Sequence, residues 1–164
     1  MTIFALSTPP GRGAIAMIRL SGDRSSLALQ SLSAKALPEL RRASVRQLSD
    51  PLTGQPIDEA VVLRFEAPHS FTGEDMLELH VHGGIAVVDS LLSALASIDG
   101  LRPAEAGEFS KRAVLNGRLD LTRAEGIADL IDAESEAQKQ QALRQISGVL
   151  GVLYEKWRDQ IKTG

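Results

Sequence analysis

Ser70, Thr72, Glu74, Asp75, Glu78, His80 and His82 place two hydroxyls, three carboxylates and two imidazoles within the fifteen residues 70–84, which close on Gly83-Gly84. A plain core strand has no use for that density of polar groups. It is the density of a segment that lines a site. Glu78, His80 and His82 stand at i, i+2 and i+4, so on a strand all three project from one face. Two histidines and a carboxylate are reasonable zinc or non-haem iron ligands. Three such positions span ~13 Å along a strand, however, which disfavours convergence on one ion. No metal site is expected; the favoured role for Glu78 is to accept hydrogen bonds in a pocket, with His82 holding the turn or pocket wall. Arg19 is the second candidate. It interrupts the apolar run Ile15–Leu20, and a buried guanidinium needs a carboxylate or an anionic ligand. Arg118 is the third, in the turn Asn116-Gly117-Arg118, where it could meet a carboxylate ligand, pair with Asp120 or cap the preceding helix.

Other chemistries find no support. Gly11-Arg12-Gly13 is too short a signal for a phosphate cradle, and the chain contains no G-x-x-x-x-G-K-S/T loop. No serine sits in a G-x-S-x-G elbow. There are no cysteines, which excludes disulfides and thiolate chemistry. No catalytic residue is assigned.

The elements that must position these residues can be read from periodicity. Strands are expected at Thr2–Leu6, Ile15–Leu20, Arg41–Leu48, Asp58–Phe65 and Asp75–His82. Helices are expected after Gly22-Asp23, over Ile85–Ile98 and over Glu108–Leu115. Thr122 and Glu125 have the spacing of a capping box and so should open a further helix. Leu143, Ile146, Leu150, Leu153 and Trp157 follow at heptad-like spacings. Continuous from 122 to 161, that helix would be ~60 Å long, too long to bury its stripe on the preceding domain. The class is therefore α/β or α+β, with a domain over 1–120 followed by a long helical arm over 121–164.

Charge is uneven. Residues 1–50 carry 7 basic and 3 acidic side chains, 51–110 carry 2 and 10, and 111–164 carry 9 and 8, so the net charges are +4, −8 and +1. The total of −3 does not favour sequence-independent nucleic-acid binding, although the basic first third could steer an anionic ligand. Aromatic residues are 4% of the chain, too few for a base-stacking platform. The apolar runs fall short of the ~20 residues of a membrane span. No membrane association is expected. Location in a reducing cytoplasm is.

Several ordered motifs together resemble one family. They are Thr8-Pro9-Pro10-Gly11-Arg12-Gly13, Ile18-Arg19-Leu20-Ser21-Gly22, Ser70-Phe71-Thr72-Gly73-Glu74-Asp75, His82-Gly83-Gly84, Gly107-Glu108-Phe109-Ser110, Leu119-Asp120-Leu121 and Ala124-Glu125-Gly126-Ile127-Ala128-Asp129. The chain resembles the MnmE (TrmE) tRNA-modification GTPases in their N-terminal part. The resemblance implies a mixed-sheet, aminomethyltransferase-like tetrahydrofolate-binding domain that forms a homodimer, then the start of a central helical domain. The G domain, with its GTP, magnesium and potassium, would lie outside this chain. The ligand would be 5-formyl- or 5,10-methylene-tetrahydrofolate. Glu78 would accept from the amino-pterin ring, and Arg19 and Arg118 would face the glutamate tail or ring oxygens. The partners implied are a flavoprotein of the MnmG (GidA) type and tRNA, modified at C5 of the wobble uridine. The rival expectations are a dimerisation scaffold without ligand and a stand-alone folate-dependent one-carbon transferase.

Overall fold

The computed structural model describes residues 1–147. It divides into two compact units, Met1–Phe109 and the chain from Ser110 onward. The first unit is a six-stranded sheet with two helices. In chain order these are β1 (Thr2–Leu6), β2 (Ile15–Ser21), α1 (Ser25–Leu32), β3 (Ser44–Ser49), β4 (Pro56–Phe65), β5 (Met76–His82), α2 (Ile85–Ala96) and β6 (Leu101–Pro103). The sheet order is β3-β4-β5-β2-β1-β6. Every pairing is antiparallel except β1 with β6, which is parallel. The α+β class and the mixed sheet therefore stand.

Strand alternation builds the core. Ala16, Ile18 and Leu20 of β2 and Leu77, Leu79 and Val81 of β5 are buried in one cluster with Leu29 and Leu32 of α1 and Leu91 and Leu95 of α2. The same alternation sends Met17, Arg19, Glu78 and His80 to the opposite face. β6 has three residues and ends in proline, so periodicity gave no sign of it; it is held by its pairing to β1.

Three helices follow among the described residues. α3 (Glu108–Leu115) begins at the junction of the units; α4 (Leu121–Ile131) and α5 (Glu136–Ile146) pack against each other in the second. Two expectations change here. The residue that caps α4 is Asp120, whose Oδ1 accepts the Arg123 N–H at 2.7 Å. Thr122 is already inside the first turn, so Thr122 and Glu125 make no capping box. A carboxylate at the helix start also meets the positive end of the helix dipole. Second, the helix does not run on continuously: α4 closes at Asp132, and Ser135 opens α5 with a capping box of its own. Ser135 Oγ accepts from the Gln138 N–H, and Gln138 Oε1 accepts from the Ser135 N–H at 2.9 Å. Gly126 permits the two helices to meet closely, since a Cβ there would lie 2.9 Å from Gln145 Cβ. Of the expected heptad stripe, Leu143 is 43% exposed; Leu150, Leu153 and Trp157 lie outside the described residues. Among the described residues no helix is long and apolar enough to cross a membrane.

Candidate functional site

Antiparallel register brings two of the expected site residues face to face. Arg19 of β2 is the direct partner of Glu78 of β5, in a row that continues to Ala5 on β1 and Leu63 on β4. Both Nε and Nη2 of Arg19 donate to the same oxygen, Glu78 Oε1, at 3.1 and 2.9 Å. The two side chains are 24% and 14% exposed, so the pair is largely withdrawn from water and its attraction is little screened. A guanidinium inside an apolar strand is thereby neutralised from the adjacent strand. The arrangement leaves Glu78 Oε2 outside the Arg19 contact, 3.5 Å from Nε2 of His80.

The 66–75 loop closes over the end of this row. Most of its polar groups hold the loop itself. Ser70 Oγ donates to the Glu74 carbonyl. Thr72, fully buried, lies 2.6 Å oxygen to oxygen from Ser21, whose hydroxyl also donates to Glu74 Oε2 at 2.7 Å. Asp75 Oδ1 accepts from the Ala67 N–H at 2.9 Å. The product of this scaffolding is Phe71, whose ring centroid lies 5.5 Å from Arg19 Cζ, within cation–π range. The polar density that marked this stretch in the sequence thus divides in two. Ser70, Thr72, Glu74 and Asp75 shape the loop, while Glu78 and His80 face the site. Phe71 was missed as a site residue because a sequence does not show which side chain a loop lays over which strand.

His82 belongs to neither group. Its ring is 74% exposed, with Nδ1 2.8 Å from Asp58 Oδ1, and its backbone N–H donates to Asp58 Oδ2 at 2.8 Å. It fastens the end of β5 to β4. Burial works against the Asp58 charge, but the His82 N–H, the His82 ring and the Glu59 N–H outweigh it and hold the carboxyl below its ordinary range. Among the described residues no three His, Asp or Glu side chains are grouped to hold a metal ion.

Arg118 lies in the second unit and is exposed. Its backbone completes a Schellman turn: the Gly117 N–H bonds Val114 O at 3.0 Å and the Arg118 N–H bonds Ala113 O at 2.8 Å, with Gly117 left-handed at φ 67°. The backbone of Arg118 therefore caps α3. In the first unit, Arg102 and Glu108 form a bidentate pair, with Nη1 2.8 Å from Oε2 and the carboxylate almost fully buried. That pair pins the start of α3 and accounts for Glu108 without a ligand. A separate cleft of about 550 Å³ opens beside the 7–13 loop and α2, lined by Thr8, Pro10, Arg12, Ile15, Val88 and Asp89 among others; neither Arg19 nor Glu78 lines it.

The family model described as GTP-binding protein TrmE N-terminus matches residues 2–118. The chain belongs to the TrmE N-terminal family. The matched span takes in the whole sheet and Arg19, Glu78 and Arg118. Among curated TrmE relatives, the chain is 58% identical over 161 residues to a mitochondrial 5-taurinomethyluridine tRNA synthase subunit of Homo sapiens, covering 98% of this chain and 33% of that protein. It is 54% identical over 175 residues to the tRNA modification GTPase MnmE of Rhodospirillum rubrum, covering 99% of this chain and 38% of that protein. With the MnmE of Caulobacter vibrioides the identity is 57% over 158 residues, 96% of this chain and 34% of the relative. This TrmE-family chain thus spans about a third of the length of the curated relatives it matches.

Proposed function

We propose that this chain is the tetrahydrofolate-binding, dimerising module of a tRNA-modification GTPase of the MnmE type. In this reading residues 1–120 hold the folate and the dimer contact, and 121–164 begin a central helical domain. The observation that carries it is the state of Glu78. Arg19 occupies Oε1 alone, so a largely buried carboxylate keeps a second oxygen for a ligand. An amino-pterin ring offers adjacent N–H donors and fits that acceptor. Arg19 and Arg118 are the cations for the ring oxygens or the glutamate tail. Within the first unit, Glu78 and Arg19 therefore fit a reduced folate carrying a one-carbon unit, in the 5-formyl or 5,10-methylene form. When bound, the folate supplies the one-carbon unit. The chain's own groups bind and orient it, and with no cysteine the chain offers no thiolate to add at uracil C6.

Dimerisation is supported by the face that carries Glu78. Val45, Val61 and Ile15 share it through their register with His80 and His82, and they are 51%, 39% and 64% exposed. The relatives are named as a tRNA modification GTPase and as a subunit of a 5-taurinomethyluridine tRNA synthase, which supports a role in tRNA modification. In the proposed reading the whole protein, with a flavoprotein partner of the MnmG type, adds an aminomethyl-type group at C5 of the wobble uridine in tRNA.

Calorimetric titration of 5-formyl-tetrahydrofolate tests the reading. Saturable binding to the wild-type chain is expected. Glu78→Ala should weaken it by ~10- to 100-fold, the scale of a lost hydrogen bond to a charged group. Glu78→Gln, which keeps the side-chain shape, should weaken it as well. Equal affinity in all three would rule out Glu78 as the folate acceptor.

A further inference from the structure

His80 follows Glu78 by two residues on β5 and points to the same face of the sheet. Its Nε2 is buried and makes no hydrogen bond. A buried ring nitrogen left in that state is uncommon and asks for a physical reason. The neighbouring strands do not supply a partner, because Met17 of β2 and Val61 of β4 stand directly opposite it. Of the charged groups on this face, Glu59 of β4, two residues before Val61, is exposed, and the others are engaged elsewhere. Arg19 Nε and Nη2 both donate to Glu78 Oε1. His82, next on this face of β5, has its ring on Asp58. Glu74 of the 66–75 loop accepts from Ser21. What Nε2 does meet is Glu78 Oε2, at 3.5 Å. That is the oxygen assigned above to the ligand.

The consequence follows from imidazole chemistry. With the neutral ring's proton on Nδ1, Nε2 presents no N–H to Oε2, and the oxygen is free to accept from a ligand. A protonated ring carries an N–H on both nitrogens together with a positive charge. Its Nε2–H is then a charge-assisted donor facing Oε2, and a small approach closes the bond. We infer that His80 is a positioning residue of the ligand site, whose protonation state decides whether Glu78 Oε2 accepts from the ligand or from the imidazolium. The inference rests on the folate reading of Glu78 and adds to it a residue and a dependence on pH. The sign is fixed: the protonated form binds ligand less well, so affinity falls as pH falls through the histidine range. By linkage, bound ligand lowers the midpoint at which His80 takes up its proton.

The test is calorimetric titration of 5-formyl-tetrahydrofolate into the wild-type chain, His80→Gln and His80→Ala. Between about pH 8 and about pH 5.5 the wild type should lose ~10-fold in affinity, while both variants lose ~2-fold or less, corresponding to about one pKa unit of coupling. At the upper pH the three should agree within ~3-fold, as expected if His80 acts through Glu78 without touching the ligand itself. NMR titration of the His80 ring in the wild type, with and without ligand, requires no variant and should show the midpoint moving down on binding. Parallel pH profiles in wild type and folded variants, or a midpoint the ligand does not move, would overturn the role of His80. The folate reading would survive that result provided Glu78→Ala still weakens binding as expected above. Absence of saturable binding to the folded wild type at every pH would overturn both.

Discussion

Asp58 is a half-buried carboxylate held below the ordinary aspartate range, although burial alone would push it the other way. The N–H groups of His82 and Glu59 and the His82 ring supply the difference. A carboxyl depressed in the folded state contributes stability that is fully present above its unfolded value, ~3.9. That contribution is lost as pH falls through the folded value. Asp58→Asn should therefore lower stability by ~1 kcal/mol near neutral pH. It should also flatten the acid side of the stability profile below about pH 4 relative to wild type. Urea denaturation at a series of pH values measures both. Identical acid slopes would mean that the His82 contacts do not bias Asp58. The comparison with Glu78 is instructive: each carboxylate bridges two strands, but Asp58 spends both oxygens on His82, whereas Glu78 commits only Oε1 to Arg19.

At the scale of elements, the start of α4 departs from the expected cap at Thr122. Asp120 and Thr122 are both good N-cap residues, and each is followed by residues that suit a first turn. The structure selects Asp120, with its bond to the Arg123 N–H. Asp120→Ala should cost ~1 kcal/mol, the usual loss for an N-cap, whereas Thr122→Ala inside the helix should stay within ~0.5 kcal/mol. Thermal unfolding monitored by helical circular dichroism distinguishes them, and a larger loss for the Thr122 variant would reverse the assignment. The gap between α4 and α5 has a similar origin. Ser135 and Gln138 satisfy the first N–H groups of a new helix, which stabilises a stop and restart where apolar spacing alone suggested continuity.

For the whole molecule, the relation between this chain and its relatives matters most. It matches proteins named as GTPases over about a third of their length, and its sequence has no phosphate-binding loop of the G-x-x-x-x-G-K-S/T kind. Without that loop nothing cradles the β- and γ-phosphates. The purified chain should release no phosphate from GTP above the buffer rate, as read by a coupled phosphate assay. Turnover that stays with the chain through successive purification steps would contradict the reading of this chain as a binding module. The uneven charge belongs to the same scale. The basic surplus of residues 1–50 and the acidic surplus of 51–110 fall on interleaved strands of one sheet, so the fold mixes what the sequence separates. Arg19 against Glu78 is one place where the two meet.

Sequence by itself determined the five longer strands to within a few residues, and helices α1, α2 and α3. Those features follow from local periodicity and turn chemistry, which a chain displays along its length. It also singled out Arg19 and Glu78, because a cation in an apolar strand and a carboxylate in a polar-dense one each need a partner. Only tertiary structure decided that each is the other's partner, since β2 and β5 are separated in sequence by α1, β3 and β4 and pair through non-local register. The same holds for Phe71 over Arg19 and for Asp58 under His82. In each case the deciding contact joins groups whose separation in space no local pattern encodes.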